Sequence, residues 1–575
     1  MELATWIVCL LAVCCVARGA GVVDLGPNVI VFDPGMDQKL IQEKCDALFT
    51  KQFSNQFGSE RYAVFFKPGT YKADITVGFY THIAGLGKSP TEVTLNGELR
   101  TRAFESNTNV TQNFWRSCEN FTVNPPQRKN VTWAVSQAAP MRRMHIMSEL
   151  RLFIGGWASG GFLSDSKIDG RVVPGSQQQW ITRNCELGSW QGGVWNMAFM
   201  GVVNPPAAGG AWTNRQPHTV MERTPVIAEK PFLFLDGGAY AVFVPDAKRD
   251  SIGTSWSKGN EAGKTVPISQ FYVAHENTDT AATMNAALSE GKHLLLTPGV
   301  YKLNASLKVT RPGTIVLGLG MATLRPQNGT PAIEVADIDG VRLADLLIDA
   351  GEKESPSLVQ VGPPGSSANH AANPTYLYDI FCRVGGAGAA NVDKAVVINS
   401  NDVIGDHAWI WRADHGAGAG WTSSRGKNGL VVNGANVRYY GLFVEHFQEY
   451  QTLWNGENGQ LYFYQCELPY DIPSDAAWTS GHSKGWAGYK VADNVTKHTA
   501  AAMGIYSYFR DAPARLENAI EAPDAPGVTF KNVMNFWLSG KDGSAVEHVI
   551  NGVGEASTRS NREVRVPSYP VKQPE

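Results

Sequence analysis

The chain has 575 residues, more than one ordinary core accommodates, so two core-forming units are expected. Hydrophobic residues make up 43% and charged residues 18%, which excludes a disordered chain. The formal net charge is −3 with no stripe of Lys or Arg, so a nucleic-acid partner has no electrostatic support.

The first element is an apolar run, Trp6 to Ala17, followed by Arg18 and Gly19. It predicts a secretory signal over 1–19 and a secreted, extracellular product. The run is too short to cross a bilayer and no second one follows, so no membrane partner is expected. Beyond it lie Cys45, Cys118, Cys185, Cys382 and Cys466. An odd number without a CxxC pair fits neither a disulfide framework nor zinc. No other cluster has metal-ligand spacing, and no cofactor is expected.

Next comes a repeat. Val64 to Tyr71 is an apolar strand pattern broken by Pro68 and Gly69, and a second strand ends in Gly85-Leu86-Gly87. The same order returns roughly 230 residues later, with Pro298, Gly299 and Tyr301, then Gly318-Leu319-Gly320. Short strands recur between turns: Thr314–Leu317, Ala332–Val335, Val341–Ile348, Ala395–Ile398, Gly429–Val432, Leu442–Val444 and Leu461–Tyr464. The best helical stretch is Thr280–Glu290. Hairpin signals are not dominant, which disfavours a β-sandwich. The expected fold is all-β, a right-handed parallel β-helix in two tandem lobes at 20–190 and 271–555. Residues 191–270 read as an insertion or linker, and 556–575 as a flexible tail. Gly85 to Ser89 imitates a phosphate-binding loop, but His82 holds the required glycine position and Pro90 follows.

The region from 378 to 471 carries more chemistry. It reads Tyr378 to Gly386, then Trp409 to His415 with Ala413-Asp414-His415, then Glu445-His446, then Gln465 to Tyr470 around Glu467. In the first half stand Trp133 to Ala138, Ser159 to Asp165, and Gln177 to Asn184. This ordered set, covering about 112–475, resembles the twin β-helix exo-β-1,3-glucanases, a family of laminarin-degrading glycoside hydrolases. That resemblance implies a polysaccharide substrate, with Glu467 as general acid. It implies that Glu445, with Gln137 and Ser159, holds the attacking water. The family's acidic Asp-Thr turn before a helix is found only in the second half, at Asp279 and Thr280.

The residue types suit such chemistry. Glycoside hydrolysis needs one protonated carboxyl at the leaving oxygen and a second group that orients water. Glu445 and Glu467 stand 22 residues apart, about one β-helix coil, so neighbouring coils can present them on one face. Aromatics near Glu467, Tyr470 among them, would desolvate it and raise its pKa. Against this stands the ordinary fate of a carboxylate, which is to be solvated. Asp402, Asp406 and Asp414 are weaker catalytic candidates, and Asp414 reads as a structural corner residue bonded to its own backbone. His415 and His446 are either sugar-binding or structural. The indoles of Trp157, Trp411, Trp421 and Trp454 either stack on a sugar face or pack in a core. The substrate-binding candidates are Trp411, His446, Trp454 and Tyr470. Six N-glycosylation sequons occur, at Asn109, Asn120, Asn130, Asn304, Asn328 and Asn494. Two other readings remain: a same-fold hydrolase or lyase acting on another glycan, and a non-catalytic secreted matrix or glycan-binding protein. A lyase normally needs a basic group and often Ca²⁺, and no Asp-rich calcium cluster is present. Nothing in the sequence sets the oligomeric state.

Overall fold

The computed structural model describes residues 23–104, 108–127, 129–208, 212–259, 261–481 and 483–570. The leader at 1–19 and the last five residues of the expected tail lie outside them.

Strands stack in parallel, coil upon coil. In the first half, a nine-stranded sheet starts at Val29–Phe32 and ends at His218–Met221, and a ten-stranded sheet forms alongside it. In the second half, a thirteen-stranded sheet starts at Phe271–Ala274, and a nine-stranded sheet starts at Leu307–Val309. Each half encloses its own aliphatic and aromatic core. All seven strands expected from sequence overlap observed ones, and Ala395–Ile398, Gly429–Val432, Leu442–Val444 and Leu461–Tyr464 lie inside longer strands. Two helices pack against the stacks: Ala281–Ser289, capped by Thr280, and Gln38–Gln52, capped by Asp37 and not anticipated.

The repeat has a physical cause. The Tyr71 hydroxyl lies 3.0 Å from Phe32 O and 2.8 Å from Lys67 O. The Tyr301 hydroxyl lies 2.7 Å from Ala274 O and 2.9 Å from Thr297 O. Both pin the Pro-Gly turn to the preceding coil. A Cβ on Gly85 would lie 2.1 Å from Asn120 O, and one on Gly318 would lie 2.2 Å from Asp345 O. Close backbone approach, not phosphate binding, explains this glycine in both copies.

Two expected boundaries need correction. Residues 191–221 are not linker: Asn196–Met200 and His218–Met221 add the last two strands to the first half's large sheet. Their glycines and prolines hid an alternating apolar core. Only from about 224 to 267 does the chain leave the parallel stacks, in short antiparallel pieces. The tail is not flexible up to Pro570 either. Glu563–Tyr569 pairs antiparallel with Gly527–Gly540 and closes the large sheet's edge.

Seven successive strands of the second half's large sheet, from Arg342–Asp349 to Gly527–Gly540, each bend at a left-handed residue. From the fourth strand on, these align in register: Asp345, Asp379, His407, Gly441, Phe463, Ala502 and Asn532, with φ from +50° to +72°. The first half has a matching column at Asn120, Arg143, Asp165, Asn184 and Gly201. Asn120 is fully buried there, its amide donating to Gly85 O at 2.9 Å and Gly87 O at 2.6 Å. Its sequon is therefore not a glycosylation site. Asn304, Asn328 and Asn494 are exposed, while Asn109 and Asn130 are half-buried.

The halves meet along apolar and ionic strips. Phe114 and Trp115 pack on Trp409, each with ring centroids 4.8 Å away. Beside them, the Arg142 guanidinium forks onto Asp379 at 2.7 and 2.8 Å and reaches Asp406 at 2.7 Å. Arg183 forks onto Glu229 at 2.7 Å and onto Asp406 at 2.9 Å. All five are buried. Asp406, a weaker catalytic candidate in sequence, is thus an interface residue. Removing one partner of such a set strands the others. Arg183→Leu is expected to cost about 3–5 kcal/mol of unfolding free energy, measured by urea denaturation. A loss below about 1 kcal/mol would show that the network adds little.

Candidate active site

One strip of the second half supplies most of the site. Trp411, Glu445, Glu467, Tyr506 and Phe536 stand opposite one another in successive parallel strands. The Arg438–Glu445 and Gly459–Glu467 strands therefore present their terminal carboxylates side by side, one strand spacing apart at the backbone. Facing them from the first half are Gln137, Ser159 and Gln178, which line the other wall of a cleft of about 820 Å³.

A hydrogen bond joins the two walls at the carboxylates. Gln137 Nε2 donates to Glu445 Oε1 at 2.9 Å, and Ser159 Oγ donates to Gln137 Oε1 at 3.1 Å. Glu445 is the deeper carboxylate, with 3% of its side chain exposed against 12% for Glu467. Tyr470 OH donates to Glu467 Oε2, and Gln465 Nε2 donates to Oε1 at 3.2 Å. His446 sits between them, its Nε2 at 3.9 Å from Glu445 and 4.0 Å from Glu467. Its Nδ1 faces the Leu468 carbonyl at 3.0 Å, which fixes the proton on Nδ1. Burial pushes the His446 pKa down, so Nε2 offers a lone pair to the cleft.

The electrostatics separate the carboxyl groups. Burial pushes Glu467 up to about 7, against the Tyr470 hydrogen bond and with the help of the Asp414 charge. Burial, with Glu467 close by, also raises Glu445 well above the usual carboxylate value. Asp414 goes the other way. Burial opposes its ionisation, but the hydrogen bond with His415 holds it down to about 2. Two neighbouring carboxyls that resist joint ionisation share a proton near neutral pH. The site therefore holds an acid and an anion together.

Of the candidates from sequence, Gln137, Ser159, Trp411, Glu445, His446, Glu467 and Tyr470 all line this cleft. Trp454 does not. It lies fully buried in the opposite sheet, its ring edge-on to His498 at 5.0 Å, and is a core residue. Trp157 stands 72% exposed at the cleft, whereas Trp421 packs under Arg412. Sequence reasoning missed Trp195, Tyr508 and Phe536, which line the cleft beyond Glu467. Trp195 lay in the stretch read as linker. Among the described residues, no group of His, Cys, Asp and Glu is arranged to hold a metal ion. No helix among them is long and apolar enough to cross a membrane.

Residues 271–467 match the family model of the LAM55 pectate lyase-like domain. An exo-β-1,3-glucanase of Streptomyces sp. (strain SirexAA-E / ActE) is 50% identical over 555 residues, covering 96% of this chain and 90% of the relative. The structure of sacteLam55A from Streptomyces sp. SirexAA-E superposes with a TM-score of 0.92 at 49% identity, covering 95% of this chain and 99% of that one. A variant of the same protein in complex with glucose matches equally well. At this identity and coverage, the chain belongs to the LAM55 pectate-lyase-like family that includes this exo-β-1,3-glucanase.

Proposed function

We propose that this protein is a secreted exo-acting β-1,3-glucan hydrolase that works with inversion, on a pair of right-handed β-helix lobes. The observation that carries the mechanism is the Gln137–Glu445 hydrogen bond beside Glu467. Both carboxyls are raised, and Glu467, the more accessible of the two and free of the Gln137 contact, protonates the leaving glycosidic oxygen. Gln137, Ser159 and Glu445 hold the water that attacks from the other side of the sugar. Glu445 is engaged by Gln137 and set deeper than Glu467, which suits a base on water rather than a nucleophile on carbon. The neutral His446 lies between acid and base without an added charge. The exposed indole of Trp157 at the cleft offers a face to a sugar ring, whereas Trp411, fully buried between Trp409 and Phe57, backs the wall. The family relationship supports the glucan as substrate. The apolar leader and the exposed sequons support export. Right-handed winding follows the general preference of parallel crossovers.

The stereochemistry tests the water site directly. Proton NMR during the first minutes of laminarin digestion should show α-glucose appearing before mutarotation. β-Glucose as the first anomer would make Glu445 a nucleophile and end the inverting assignment.

A further inference from the structure

Gln137 occupies a strained place. Its φ is +26°, in the left-handed region that non-glycine residues avoid, and it is buried. Something must hold its peptide so that the amide points at Glu445. Its carbonyl accepts from Ala139 N–H at 2.8 Å and meets His407 Nε2 at 3.0 Å. His407 comes from the other half, at the corner of the strand Ile404–Arg412, and is fully buried.

The second nitrogen of His407 defines its state. Nδ1 lies 2.7 Å from Asp379 Oδ1. Burial opposes ionisation of Asp379, but the Arg142 fork and the His407 bond keep it a carboxylate. A carbonyl and a carboxylate are both acceptors only, so an imidazole bonded to both carries a proton on each nitrogen. Charge bookkeeping agrees. The hydrogen-bonded chain then has three cations, Arg142, Arg183 and His407, against three carboxylates, Asp379, Asp406 and Glu229. The ring is also fixed in space. It stacks on Phe162 at 4.6 Å and 11°, with Phe381 and Phe443 edge-on to it.

The geometry points to His407 as a positioning residue: an imidazolium anchored by Asp379 that clamps the Gln137 peptide and thereby aims the Gln137 amide at Glu445 and the attacking water. This rests on the reading of Gln137 and Glu445 as the water-holding pair. The interface between the halves then sets the water site as well as joining them.

His407→Asn tests it, because Asn tolerates the left-handed backbone but cannot span both partners. Laminarin kcat should fall roughly 10- to 100-fold, since small misplacements cost that much. KM should stay within about twofold, because the lost contact serves the attack and not the binding of sugar. In a Gln137→Ala background, His407→Asn should cost less than about twofold further, the mark of two residues acting through one contact. Glu229→Gln, which perturbs the same buried chain away from Gln137, should lower the melting temperature and leave kcat unchanged. An undiminished loss in the Gln137→Ala background would overturn the clamp, as would normal turnover in a folded His407→Asn enzyme. Wild-type turnover in Gln137→Ala would instead fail the water-holding reading, and the clamp with it. If His407→Asn does not fold, a neutron structure of the unaltered protein still decides. Deuterium on both ring nitrogens of His407 is expected, and on one alone would overturn the proposal.

Discussion

Glu467→Gln is expected to lower laminarin hydrolysis by about 10²–10⁴-fold, the usual contribution of a general acid. The amide keeps the shape and the contacts of Glu467 with Tyr470 and Gln465, but has no carboxyl proton to give. An aryl β-glucoside with a good leaving group needs less protonation and should lose much less. The pH profile should change too. The wild-type acid works only while protonated, so turnover falls as pH rises through about 7. Stability follows the same proton. A carboxyl raised from 4.5 to about 7 in the fold favours the folded state fully below 4.5 and loses that contribution as pH rises through about 7. Glu467→Gln has no such ionisation, so at pH 8 its melting temperature should match or exceed that of the wild type. Equal, small losses on both substrates in a folded variant would remove Glu467 from the acid's role.

Glu445→Gln should hurt both substrates alike, again by about 10²–10⁴-fold, because each needs an activated water. The substitution leaves the acid in place and keeps a group able to bond Gln137. A parallel collapse on laminarin and aryl glucoside, measured as kcat, is therefore the signature of the base. A loss confined to laminarin would place Glu445 in sugar binding instead.

The strands and the carboxylate pair were legible because they are local. Leu461–Tyr464 is a short unbroken apolar run, and the 22-residue step from Glu445 to Glu467 is one coil in the register of the sheet. The Pro-Gly and Gly-Leu-Gly copies were readable because the same steric demand acts at Gly85 and Gly318. The interface was not legible. Arg142, Arg183, Glu229 and Asp379 look in sequence like surface charges, and only long-range pairing buries them. The corners were legible in part. Asn120, Asn184 and Gly441 have the backbone preference for the site, whereas His407 and Phe463 are held there by contacts with the rest of the protein. Trp454 shows the opposite error: nearness to catalytic strands in sequence says nothing about which sheet an indole faces.

The hydrogen bond that joins Gln137 to Glu445 spans 308 residues of chain. Contacts at such separation carry a large closure entropy and form after local ones. Each stack can wind its own coils first, since neighbouring strands are only a few tens of residues apart. Gln137 meets Glu445 only once the finished stacks have docked. On the proposed mechanism, an undocked chain, however rich in β-structure, would hold its acid without a placed water. On the same mechanism, turnover would report docked stacks, and a chain halted before docking is expected to be inactive.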